Sequence, residues 1–225
     1  MFVFDPMYLL FLAPAMLLAM WAQYRLQATY SQASQVPVGM TGAAAARQVL
    51  DSAGLTNVDI EMVPGHLSDH YDPRNKVLRL SQAVYQGRSA ASVGIAAHEA
   101  GHALQDAQNY APLVIRNAAV STANLGSGLG IWLVVLGAMF SQPLLLIGIG
   151  LYSVFVFFQL INLPVEFNAS SRAKEQLAML SIVDQEQGYY VKKVLGAAAL
   201  TYVAATLSAV MTLLYFLMRF AGSRD

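Results

Sequence analysis

Cysteine is absent from the 225 residues. Disulfides, thiolate metal sites and a cysteine nucleophile are therefore excluded, and any metal must be held by His, Asp, Glu or water. Charge is also scarce. Asp, Glu, Lys and Arg make up 12% of the chain, against about 25% in ordinary soluble domains. The 13 basic and 13 acidic side chains cancel to a formal net charge of +0. No basic footprint exists, so nucleic acid is not expected as a partner. Internal repeats and low-complexity tracts are missing as well.

What the chain has in excess is apolar sequence, 56% of it, gathered into blocks. That is the organisation of a membrane protein. The first block is Pro6–Trp21, "PMYLLFLAPAMLLAMW". A helix continuing through Gln23 and Tyr24 would reach the required length of about 30 Å. Asp5 precedes it without any Lys or Arg, and no small-x-small cleavage site follows, so an uncleaved anchor is expected rather than a signal peptide. Leu125–Phe140 and Pro143–Ile161 read as two more spans joined in a tight hairpin at Ser141–Gln142, with Gly126, Gly128 and Gly130 available for close helix approach. Val194–Phe220 is the fourth. The expected division is 1–24 anchor, 25–117 polar segment, 118–161 hairpin, 162–193 second polar segment and 194–225 final span.

The first polar segment predicts an α+β unit. Thr41 suits a helix N-cap before "GAAAARQVLDS", and Gly54 a stop. "VDIEMVPG" reads as a short strand and turn, "HLSDHYDPRN" as a polar loop and "KVLRLS" as a second strand. A helix follows from a Ser89 cap, with Pro112 marking its end. In the second polar segment Pro164 suits the first turn of a new helix capped by Asn162. Lys and Arg set the orientation. Arg25, Arg47, Arg74, Lys76, Arg79, Arg88 and Arg116 lie in the first polar segment, and Arg172, Lys174, Lys192 and Lys193 in the second. The hairpin tip has none. Both polar segments are expected in the cytoplasm and both termini outside, although Arg219 and Arg224 run against that count.

The chemistry concentrates in "AAHEAGHALQ". His98-Glu99-Ala100-Gly101-His102 matches H-E-x-x-H. Residues four apart share a helix face, so two imidazoles can converge on one metal while Glu99 reaches activated water as a general base. A catalytic zinc site needs a third protein ligand. The extended pattern with a third histidine fails, because Gln105 and Gln108 stand where Gly and His belong. No Asn-Pro-Asp-Gly-like setting supplies an aspartate. "LPVEFNASSRA" offers Glu166 on a later helix. Two spans separate it from His102, an even number, which returns it to the same membrane side. Glu175, Asp184 and Glu186 share that side on more charged helix faces.

With "DHYDP…LS…AAHEAGHALQDA…LPVEFNASSRA" the chain resembles the neutral zinc metallopeptidases of the YugP type, bacterial membrane proteins, over nearly its whole length. It is more loosely similar to the HtpX-type membrane proteases, which share H-E-x-x-H and a later E-F/Y-x-A segment. The resemblance implies a mainly α membrane protein of about four transmembrane helices with a small cytoplasmic α+β, zincin-like unit. It implies Zn2+ held by His98, His102 and Glu166, Glu99 as catalytic base, and hydrolysis of peptide bonds in a peptide or protein substrate at the bacterial inner membrane, in contact with lipid. One departure is Ser170. The wider group often has an aspartate at that place to orient a histidine, and Asn168 or Asp106 are candidates to share the role.

Other residues have two readings each. His66 and His70 are four apart and are either solvated loop residues or a second metal site. His70 or Tyr71 could line the cleft and donate to a developing oxyanion. The "KVLRL" strand either offers an edge to an extended peptide or lies inside the sheet. Arg172 either reaches a substrate carbonyl or carboxylate, or pairs with Glu175. Tyr110 reads as an interfacial aromatic. A rival to the enzyme is a non-catalytic membrane scaffold whose zinc is closed by a fourth ligand, Asp106 or His70. A protein with no metal is the third reading.

Overall fold

The computed structural model describes residues 5–65 and 68–221. His66 lies outside the described residues. Among the described residues, four helices are long and apolar enough to cross a membrane: Pro6–Ser34, Ala111–Phe140, Gln142–Met179 and Gln185–Arg219. The chain is mainly helical, with one three-stranded sheet. It divides into two compact units.

The first unit comprises Gln23–Leu113 and Val165–Ala199. Helix α1 (Pro6–Ser34) enters it, followed by α2 (Gly42–Ser52), whose Thr41 side chain caps Ala44 N–H. Gly54, at φ 73°, turns the chain out of α2, a conformation glycine adopts without steric cost. Strands β1 (Asp59–Val63), β2 (His70–Asp72) and β3 (Val77–Ser81) follow. The order is β1-β3-β2, with β1 parallel and β2 antiparallel to β3. The "KVLRL" strand is therefore the inner one, and it is mostly buried. The segment expected to be polar loop contributes β2 at the sheet edge. It is short and polar, and it is held by pairing to β3 rather than by any strand pattern of its own. Behind it Asp72 accepts from Asn75 and from Arg79 Nη1 at 2.7 Å.

A short helix α3 (Gln82–Tyr85) leads to α4 (Ala90–Ala107), capped by Ser89. Its apolar face is alanine: Ala96, Ala97, Ala100 and Ala103 are all buried. Pro112 does not end α4. That helix stops at Ala107, Asn109 takes a left-handed φ of 49°, and Pro112 sits in the first turn of α5 (Ala111–Leu125), where its missing N–H costs nothing.

The second unit comprises Met1–Ala22, Val114–Pro164 and Leu200–Asp225. Within it α5 passes through a π-helical stretch, Gly126–Gly130, into α6 (Ile131–Phe140), and after Ser141 the chain turns back as α7 (Gln142–Met179). The span thus starts earlier than Leu125. Glycine sets the closeness of the hairpin. A Cβ on Gly126 would strike the Leu151 carbonyl, and one on Gly137 would strike the Leu145 backbone, whereas Gly128 faces open space. Helix α8 (Gln185–Ala221) completes the unit. Tyr215 near its end donates to Asp5 at 2.7 Å, and Arg219 lies 4.0 Å from the same carboxylate. The start of the first span and the end of the fourth therefore share a side, as an even number of spans requires.

Pro164 is a correction. It starts no new helix; α7 runs through it and Asn162 is no cap. Proline leaves the Leu160 carbonyl without its helical donor. Apolar spans tolerate this because neighbouring side chains compensate nearby groups. Thr206 Oγ1 donates to the Gln159 carbonyl one turn before the proline, at 3.3 Å.

Candidate metal centre

The i, i+4 spacing puts His98 and His102 on one face of α4 with ring centroids 4.8 Å apart. Glu166, on α7 just beyond the apolar stretch, closes the triangle. Its Oε2 lies 3.3 Å from His98 Nε2 and 3.7 Å from His102 Nε2. One ligand atom from each residue falls within 4.8 Å of the others, the one such cluster of His, Asp and Glu among the described residues.

The donor set fits zinc. Two atoms about 2.1 Å from a tetrahedral centre stand about 3.4 Å apart, the spacing Glu166 keeps from both imidazoles. Glu166 is 3% exposed, and Oε2 is buried without a hydrogen-bond partner. A buried acceptor left in this way is costly unless a cation satisfies it. Burial pushes the Glu166 carboxyl up, but the neighbouring His102 and His98 rings outweigh burial and hold it below the usual carboxylate range.

Glycines let α4 approach both of its helical neighbours, α7 and α8. A Cβ on Gly101 would lie 2.7 Å from the Ala169 carbonyl oxygen, so the glycine inside H-E-x-x-H lets α4 reach the α7 backbone beside Glu166. A Cβ on Gly94 would lie 3.2 Å from Val191 Cγ1 of α8.

The outer ring nitrogens are held by neutral groups. Ser170 Oγ, one turn after Glu166, lies 3.1 Å from His98 Nδ1. His102 Nδ1 lies 2.9 Å from Gln105 Oε1. In the sequence Gln105 stands where the extended motif needs glycine, and nothing more. The available signal was its offset of three residues from His102, which puts it on the histidine's helix face. Gln105 is fully buried and also donates to the Val165 carbonyl and to Asn168 Oδ1. Asn168 contacts neither histidine directly among the hydrogen bonds found.

Glu99 is buried directly beside His98, and its charge acts on His102. Asp106 accepts from the Tyr71 hydroxyl at 2.9 Å, fastening β2 to α4. Burial and then this bond push the Tyr71 phenol up, so it stays protonated. His70 is exposed, with Nδ1 2.8 Å from the Ser68 carbonyl. Arg172 forms no ion pair with Glu175. It donates to Asn168 Oδ1 at 2.6 Å and Gln108 Oε1 at 2.7 Å, and its guanidinium sits 6.0 Å from the Tyr110 ring centre.

A family described as "Putative neutral zinc metallopeptidase" matches residues 8–221. The "Putative membrane protease YugP" of Bacillus subtilis (strain 168) is 47% identical over 212 residues, covering 92% of this chain and 94% of that protein. No solved structure matches the chain.

Proposed function

The chain belongs to this family of zinc metallopeptidases, and from that premise we propose that it is a membrane-bound endopeptidase whose zinc is held by His98, His102 and Glu166. The observation that carries the reading is the convergence of three ligand atoms, one of them a buried, unpartnered carboxylate oxygen, at zinc-like spacing. Three protein ligands are the usual complement of a catalytic zinc, which keeps a fourth position for water or substrate, whereas structural sites are closed by four. Neither fourth ligand weighed for a structural brace joins the cluster: Asp106 is engaged by Tyr71, and His70 by Ser68.

Zn2+ bound there supplies Lewis acidity toward a carbonyl oxygen and toward water. The protein's part is proton handling and orientation. Glu99 takes a proton from the attacking water on its carboxylate and returns it to the leaving amine. Gln105 orients the His102 ring so that its Nε2 faces Glu166, and Ser170 holds the His98 ring from its Nδ1 side. Tyr71 spends its hydroxyl proton on Asp106, so its role in this reading is to hold the sheet edge against α4. The free side of that edge is β2, which supports pairing of an extended substrate there rather than along β3. The Lys and Arg distribution supports a cytoplasmic site in the bacterial inner membrane.

The test is a pair of variants of the full chain in detergent. Glu99→Gln keeps stoichiometric zinc and abolishes peptide hydrolysis, whereas Glu166→Gln loses zinc. Hydrolysis at the wild-type rate by Glu99→Gln refutes the mechanism.

A further inference from the structure

The buried amide of Gln105 has three partners, and their chemistry fixes the direction of every bond it makes. The Val165 carbonyl, 2.8 Å away, can only accept, so the Gln105 atom facing it is the NH2 nitrogen. Oε1 is then the atom facing His102 Nδ1 at 2.9 Å. An amide oxygen cannot donate, so Nδ1 must carry the ring proton. Asn168 is constrained from its other side: the Arg172 Nε–H, 2.6 Å away, can only donate, which makes the facing Asn168 atom its oxygen. That oxygen also receives the second Gln105 N–H, at 3.0 Å. The bonds converge on Asn168 Oδ1, from Arg172 Nε–H at one end and from His102 Nδ1–H through Gln105 at the other, with the remaining Gln105 N–H going to Val165. Reversing any link would set two donors or two acceptors against each other.

We propose that Gln105 is the positioning residue of the metal centre: it locks His102 in the Nδ1–H form, leaving Nε2 free to ligate, and at the same time ties α4 to the α7 turn that carries Glu166. This rests on the zinc reading of the three ligands. The second task follows from sequence position, because Val165 immediately precedes Glu166 and Asn168 follows two residues later. One side chain thus sets the orientation of one ligand and the placement of another. Arg172 supplies an end that cannot invert, since its guanidinium stays protonated and has no acceptor. The outer nitrogens of both histidines are thus faced by uncharged groups, Gln105 and Ser170.

The experiment compares zinc affinity by chelator competition, and His102 tautomer by 15N chemical shifts of histidine-labelled, metal-free protein, in the full chain in detergent. Gln105→Met preserves volume but removes all three bonds. It is expected to lower zinc affinity about tenfold to a hundredfold and to abolish the fixed Nδ1–H signature. Asn168→Ala removes one bond to Gln105 and leaves the other two, so it gives a smaller affinity loss with the tautomer retained. It also serves if Gln105→Met fails to fold. Wild-type affinity and tautomer in Gln105→Met, or loss of the tautomer in Asn168→Ala with none in Gln105→Met, overturns the proposal. Neither readout needs hydrolysis. Wild-type protein that binds no zinc would instead overturn the metal reading itself.

Discussion

Replacing Gly101 by alanine separates the stability of α4 from the geometry of the metal centre. The new Cβ would sit 2.7 Å from the Ala169 carbonyl oxygen, where an ordinary carbon–oxygen contact is about 3.3 Å. That oxygen belongs to the backbone of a continuous helix and cannot swing aside, so α4 and α7 must separate by about 0.6 Å near the ligands. Metal–ligand distances tolerate only about 0.2 Å. The 3.3 Å gap between His98 and Glu166 would open toward about 3.9 Å, past tetrahedral spacing. Overpacking costs about 1–3 kcal/mol, but alanine recovers about 1 kcal/mol of helix propensity over glycine. The folded state should therefore lose little while zinc affinity falls by at least about tenfold. Chelator competition reads the affinity and a thermal melt of metal-free protein reads the stability. Gly196→Ala is the control, because its Cβ would meet nothing within 4 Å. A Gly101→Ala protein that binds zinc as tightly as wild type refutes the claim that this glycine sets ligand geometry.

Acid should act on the sheet through Asp72. Hydrogen bonds from Asn75 and then Arg79 hold its carboxyl below its ordinary 3.8. A depressed folded pKa stabilises above the unfolded value and the gain is lost as pH falls. The melting-temperature gap between wild type and Asp72→Asn should thus be full near about pH 6 and shrink steadily below about 3.8; a gap that is the same at both ends sinks this account. In the hairpin, Gly126→Leu would drive a side chain into the Leu151 carbonyl, whereas Gly128→Leu has room. Monodisperse protein after detergent extraction should be lost for the first and kept for the second, and equal yields would contradict the close packing.

Much of the site was readable because its signals are local or topological. The pair of imidazoles needs only a four-residue step, and Glu166 needs only an even span count. The role of Gln105 is not legible locally, because its partners, Val165 and Asn168, lie 60 and 63 positions away; nothing nearby in the chain shows that a buried amide is required. Pro164 reads as a helix start from residue type alone, but α7 continues through it with one carbonyl, that of Leu160, losing its helical donor. Strand β2 escaped for the opposite reason. His70, Tyr71 and Asp72 carry no alternation, and pairing to the strongly patterned β3 makes them a strand.

The same proline has a kinetic side. Without an amide hydrogen at position 164, the ladder of α7 is interrupted two residues before Glu166, at the point where the two compact units divide the helix. Cooperative openings propagate poorly across such a gap. Amides of 165–179 should therefore exchange with deuterium as one group and those of 143–161 as another, and zinc should slow the first group while leaving the second unchanged.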